Sequence, residues 1–221
     1  MTDSIECLVT HEQCAEAITS RYVALLRLYA RASGLERVEA ADELVGDAFV
    51  RSSTSEACFA AWRASGISLR RFLVLLLLDH ARVRQNALKE SARERTDCKG
   101  CGSCDCHGGG ALTLDAHAYE QFEHAWSQVL LRDACESAER ALVASGEGAA
   151  WSAFDESFRN KKEFAQIGAQ LGVSTAIARS YARRAQSAFE RELEALLQSE
   201  GVDAADMADE LNWLIELAAR A

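Results

Sequence analysis

Apolar residues return at helical spacing along most of the chain. Ile18, Tyr22, Leu25, Leu26 and Tyr29 form a stripe that Ser33-Gly34 breaks. A second helix is expected over 40–50, with Leu44, Val45, Ala48 and Phe49 inward. Gly66 opens a third segment, and 69–84 is apolar first and basic afterwards, as one long helix would be. The pattern then stops at 97–110, DCKGCGSCDCHGGG, where glycines and cysteines exclude regular helix. It returns over 119–145 with Phe122, Trp126, Val129, Leu130 and Leu142, turns at Gly146-Glu147-Gly148, and puts Trp151, Phe154 and Phe158 on one face. A last helical pair begins near Lys162. No internal repeat is evident.

Residues 163–189, EFAQIGAQLGVSTAIARSYARRAQSAF, hold the most informative local pattern. Phe164, Ile167 and Leu171 line one face of a short helix. Gly172 suits the left-handed position that ends it, Val173 plugs the corner, and Ser174 is a good N-cap for a second helix starting at Thr175. Ile177, Tyr181 and Ala185 share one side of it. Arg179, Ser180, Arg183 and Arg184 fall on other faces. A short helix, a tight turn and a second helix present early side chains of the second to base edges in the major groove, while arginines neutralise phosphates. An ordinary helical hairpin with a solvated basic face fits the same pattern.

Composition supports an all-α chain. Its 221 residues contain no proline, where roughly eleven would be average. The net charge of −10 argues against nucleic acid until its distribution is considered. Residues 63–95 carry eight Arg/Lys against three Asp/Glu, and 161–191 carry six against two. Such islands can hold phosphate locally, because screening confines each field to about 10 Å. The N-terminus lacks a signal-peptide core, and the longest apolar run, 72–78, is far short of the roughly 20 residues that span a bilayer. A soluble, cytoplasmic protein is expected.

Eight cysteines without an export signal point to thiols or metal ligands rather than disulfides. Cys98, Cys101, Cys104 and Cys106 lie together and His107 follows; random placement would put about 0.3 cysteines there. Cys-x-x-Cys steps direct sulfurs at one ion, zinc first, with copper(I) or an iron–sulfur centre also suited. His107, His80 or His117 would replace a cysteine where the short loop cannot supply four ligands. A redox switch and a plain reduced linker are the other readings. Cys7, Cys14, Cys58 and Cys135 are scattered and read as packing residues.

The segment 163–189 resembles the C-terminal DNA-binding domain of extracytoplasmic-function sigma factors. Ile167, Gly168, Leu171, Gly172, Val173 and Ser174 match its core pattern, with Gly168 where alanine is usual. Upstream, AADELVGDAFVR (40–51) resembles the family's acidic helix, which implies docking on the RNA polymerase clamp through Asp42, Glu43, Leu44, Asp47 and Phe49. LRRFLVLLLLDHARVR (69–84) resembles the segment that engages the promoter's melting element, implying DNA contacts at Arg71, Arg82 and Arg84. GGGALTLD before FEHAW (122–126) and an acidic tail complete the order found in a large subgroup. The linker, usually basic, carries cysteines here, and Ala176 and Ala178 stand where longer polar residues are common.

The resemblance implies a sigma domain two over 1–96, a Cys/Gly-rich linker over 97–118, a sigma domain four over 119–198 and an acidic C-terminal helix over 199–221. DNA contacts in the second domain fall to Ser174, Thr175, Arg179, Ser180, Arg183 and Arg184. It further implies RNA polymerase core and promoter DNA as partners, an anti-sigma factor as a third, and no enzymatic activity; no nucleophile–base pair or phosphate loop stands out. A non-initiating metal- or thiol-sensing regulator, and an interaction protein held by an anti-sigma factor, share the same features. Asp47 fits a solvated helix charge, Arg82 and Arg84 fit a surface face or partners for Asp79, and Trp126 fits the core. In the tail, Leu211, Trp213, Leu214, Ile215 and Leu217 are available to pack over the DNA helix or to finish the core.

Overall fold

The computed structural model describes residues 21–52, 56–95 and 112–219 and is all-helical over them. The chain gathers into two compact units, Met1–Trp126 and Ser127–Ala221. Helix α5 supplies its first residues to one unit and the remainder to the other.

In the first unit, α1 (21–32) ends where Gly34, at φ 70, lets the chain turn into a short 3-10 helix at Leu35–Arg37. Helices α2 (Ala41–Ser52), α3 (Glu56–Ser65) and α4 (Leu69–Arg95) follow. Helix α3 was not anticipated by the apolar pattern, and α4 runs eleven residues beyond the expected end at Arg84 because no glycine or proline stops it. The core collects Tyr22, Leu26, Tyr29, Leu44, Val45, Leu69, Leu77, Leu78, Phe122 and Trp126, all nearly inaccessible to solvent. Helix α5 (Ala116–Ala144) starts where the Asp115 carboxylate accepts from the Ala118 N–H at 2.8 Å, a side-chain cap. Phe122 meets Tyr29 edge-on at 6.4 Å and Tyr22 at 6.5 Å. No described helix is long and apolar enough to cross a membrane.

In the second unit, α6 (Gly148–Phe158), α7 (Phe164–Leu171) and α8 (Thr175–Ser199) pack with the rest of α5, and α9 (Met207–Ala219) follows. Small residues let these helices approach closely. Ala138, Ala150, Ala185 and Ala188 are buried with Leu142 and Trp151, and Ala153, Ala178 and Ala182 are buried with Ile167. Phe154 touches both clusters and stacks on Phe189 at 6.3 Å. In the tail Leu214 and Leu217 are buried, while Ile215 is 66 % exposed and belongs to no core.

Candidate nucleic-acid interface

Helices α7 and α8 are joined by a tight turn that three local devices fix. Gly172 adopts φ 68, so the chain leaves α7 without steric cost. The Val173 N–H donates to the Gly168 carbonyl at 2.9 Å, and the Val173 side chain packs on the Ile167 cluster. Ser174 is extended at φ −69, ψ 156, and its Oγ accepts from the Ile177 N–H at 3.3 Å. Gly168 explains its own presence. A Cβ there would stand 2.8 Å from the Val173 oxygen and 3.3 Å from the backbone of Ser174 and Thr175. The turn folds against the first helix more closely than any side chain permits.

On α8, Ala178, Ala182, Ala185 and Ala188 face inward. This corrects two expectations from the sequence. Ala178 is fully buried, so it takes nothing from the outward face. Ile177, grouped by spacing with Tyr181 and Ala185 on one side, is 43 % exposed although Ala185 is fully buried. Periodicity alone left the phase ambiguous, because alanine fits either face. Thr175, Ala176, Arg179, Ser180, Arg183 and Arg184 are all exposed, and Ser174 with them, so the acidic tail does not cover this face. Arg184 pairs with Glu147 at 3.1 Å, both partly exposed. The Arg179 guanidinium lies 5.6 Å from the Phe164 ring centroid, over its face.

The first unit brings several sequence-selected residues against one another. Arg84 donates from Nε to Glu39 Oε2 at 2.9 Å, its Nη2 bonds the other Glu39 oxygen, and Asp47 lies 3.4 Å away. The hydrogen bond to Glu39 raises the Arg84 pKa above its ordinary value, helped by the charges of Glu39, Asp47 and Glu43. Asp47 and Arg84, assigned to polymerase and to DNA, are thus partners, and Asp79 is not the acid Arg84 holds. Glu39, Asp47 and His80 offer ligand atoms within 4.8 Å of one another. With Arg84 against both carboxylates their charge is already answered, and a divalent cation would meet the guanidinium.

Arg82 donates two hydrogen bonds to the Leu112 carbonyl, at 3.0 Å from Nε and 2.6 Å from Nη2. Arg71 is exposed. On α2, Asp42 pairs with Arg27 at 2.7 Å and Glu43 is exposed. Leu44 is fully buried, so it anchors the helix to the core and is not on the surface a partner would meet. Phe49 lies in α2, but its side chain is outside the described residues.

Cys98, Cys101, Cys104, Cys106 and His107 lie outside the described residues, as do Cys7 and Cys14. His117 is on exposed α5 surface, 3.0 Å from Gln121. Cys58 and Cys135 are half-buried free thiols whose pKa values burial pushes up, which keeps them protonated and poorly nucleophilic at neutral pH.

The sequence did not single out Glu39, Arg70, Lys161 or Lys162. Arg70 lies over the Trp126 ring at 4.5 Å and bonds Glu123 at 3.3 Å. Lys161 has a left-handed backbone at φ 53, which no side-chain pattern announces. No family model, curated protein or solved structure matches the chain.

Proposed function

We propose that the chain is a sigma factor of the extracytoplasmic-function type, which binds RNA polymerase core and directs initiation at specific promoters. The helix-turn-helix carries this reading: a left-handed Gly172, a capped α8 and an open face with Thr175, Ser180, Arg179 and Arg183 are what a major-groove reader needs. The proposed arrangement is a sigma domain two, a Cys/Gly-rich linker and a sigma domain four. Asp42, Glu43 and Asp47 serve the polymerase clamp, and Arg71 the nearer promoter element. Neither domain needs high affinity alone, because the tether raises the effective concentration of the other at the promoter. The protein works in the cytoplasm and is not an enzyme. Metal, zinc first, or oxidation at Cys98–Cys106 and His107 modulates promoter engagement, and an anti-sigma factor is a further partner.

Transcription in vitro with core polymerase and a promoter library tests the reading. Specific initiation is the expected outcome, and failure of the full chain to bind polymerase overturns it. A second reading, a non-initiating metal- or thiol-sensing regulator, is favoured by the engagement of Arg82 and Arg84 within the first unit. Polymerase binding without initiation identifies it. Metal analysis of a Cys101→Ser, Cys104→Ser double variant tests the modulation: unchanged metal content together with unchanged metal or redox response removes the cluster from the mechanism.

A further inference from the structure

A cleft of about 440 Å³ opens in the second unit where the end of α6, the turn 159–163, the start of α7 and one side of α8 meet. That volume is in the range of small-molecule sites, roughly 300–1,000 Å³. Phe154, Phe158, Phe164 and Ala182 give it apolar walls, and Lys161, Lys162, Arg179 and Arg183 face it with a single carboxylate, Glu163.

The four cations are not equivalent. Lys162 is held by Glu156 at 2.8 Å and is neutralised there. Lys161, Arg179 and Arg183 make no ion pair among the described residues. Two of these three are placed by aromatic faces instead: Lys161 Nζ lies 4.9 Å from the Phe158 centroid and Arg179 lies over Phe164 at 5.6 Å. An aromatic face orients a cation without cancelling its charge, so the charge stays available to an anion. Lys161 also occupies the left-handed region at φ 53, where glycine would be easier. Phe158, 63 % exposed, stacks on Phe154 at 5.7 Å instead of entering the core.

We propose that this cleft binds a phosphorylated small molecule, a phosphomonoester or polyphosphate bearing an apolar or aromatic group, the class that includes nucleotides. Three unanswered cations against Glu163 leave a positive excess that suits a dianion better than the single charge of a phosphodiester linkage. The phenylalanine walls offer an organic group the burial that inorganic phosphate cannot use. Arg179 and Arg183 also belong to the proposed DNA face, so ligand and duplex would compete for them.

Calorimetric titration of the full chain with ATP, AMP, adenosine and inorganic phosphate tests this, beside a duplex without terminal phosphates. ATP and AMP are expected to saturate; adenosine should be weaker by about tenfold or more, the scale of a lost charge-assisted contact, and inorganic phosphate by a similar factor through the lost burial of the organic group. Lys161→Gly should weaken ATP by about tenfold while its unfolding midpoint stays level or rises, since glycine relieves the backbone. Arg183→Gln should weaken ATP similarly. The proposal falls if ATP does not saturate at millimolar concentration, if adenosine or inorganic phosphate matches AMP, or if Lys161→Gly binds ATP unchanged. Duplex binding without nucleotide binding overturns it and leaves the sigma-factor reading standing. Nucleotide binding by a chain that fails with polymerase does the reverse.

Discussion

Tyr22 and Trp126, 104 residues apart in the chain, are joined by a hydrogen bond of 2.8 Å from the indole Nε1 to the phenol oxygen. Both side chains are fully buried. Arg70 lies over the same indole and reaches Glu123, so one tryptophan gathers α1, α4 and the start of α5. FEHAW, read from sequence with the second domain, thereby packs in the first unit.

Trp126→Phe removes the hydrogen bond and the better face for Arg70. With the smaller ring leaving unfilled space in a fully buried site, the change should cost about 2–4 kcal/mol of unfolding free energy. Tyr22→Phe keeps the ring but leaves the buried indole N–H without this acceptor, and should cost about 1–3 kcal/mol. Urea unfolding followed by circular dichroism measures both. A cost for Trp126→Phe no greater than that for Tyr22→Phe would show that neither the larger ring nor its face under Arg70 adds to stability.

Gly168→Ala and Gly46→Ala should move stability in opposite directions. Alanine improves helix propensity by about 1 kcal/mol at either site. At Gly46 the new Cβ meets nothing within 4 Å among the described residues, so the gain survives. At Gly168 it meets backbone at 2.8 Å, and overpacking of about 1–3 kcal/mol outweighs the propensity gain. Thermal unfolding of the two variants decides the signs. A stabilised Gly168→Ala would mean the turn can relax away from α7.

Alkaline pH should loosen the first unit. Burial pushes the Tyr119 phenol up to about 12, with the Glu123 charge adding and Arg70 opposing. A folded pKa above the unfolded value of about 10 gives stability fully present below pH 10 and lost as pH rises through about 12. Tyr29 shifts the same way, chiefly by burial. Tyr119→Phe should therefore flatten part of the alkaline decline in unfolding midpoint. A profile identical to the parent between those limits would remove Tyr119 as a cause.

The legible parts of this molecule were those governed by neighbouring residues. Leu171-Gly172-Val173-Ser174 announces a turn because a left-handed glycine and a serine cap act within a few positions. Phase on α8 is harder, since alanine suits core and surface alike and spacing alone groups Ile177 with Tyr181 and Ala185. Phe158 shares a face with Trp151 and Phe154, but it is the last residue of α6, so its ring lies past the core. Partners brought together by the fold left no local trace: Glu39 sits 45 residues from Arg84, and nothing near either names the other.

That pair sets the most direct test of the first unit. While Glu39 and Asp47 hold Arg84, its partly exposed guanidinium is committed to partners of its own chain and adds little to a phosphate contact. Glu39→Gln weakens the hold and leaves the backbone alone. If Arg84 then reaches phosphate, the plot of log binding constant against log salt steepens by about 0.9, the yield of one neutralised phosphate. On the proposed function, affinity for promoter DNA at low salt should rise with it. Arg84→Ala should have little effect alone and should cancel the gain in the Glu39→Gln background, because the two changes share one contact. An unchanged slope in Glu39→Gln would place Arg84 outside the DNA surface and make its bond to Glu39 purely structural.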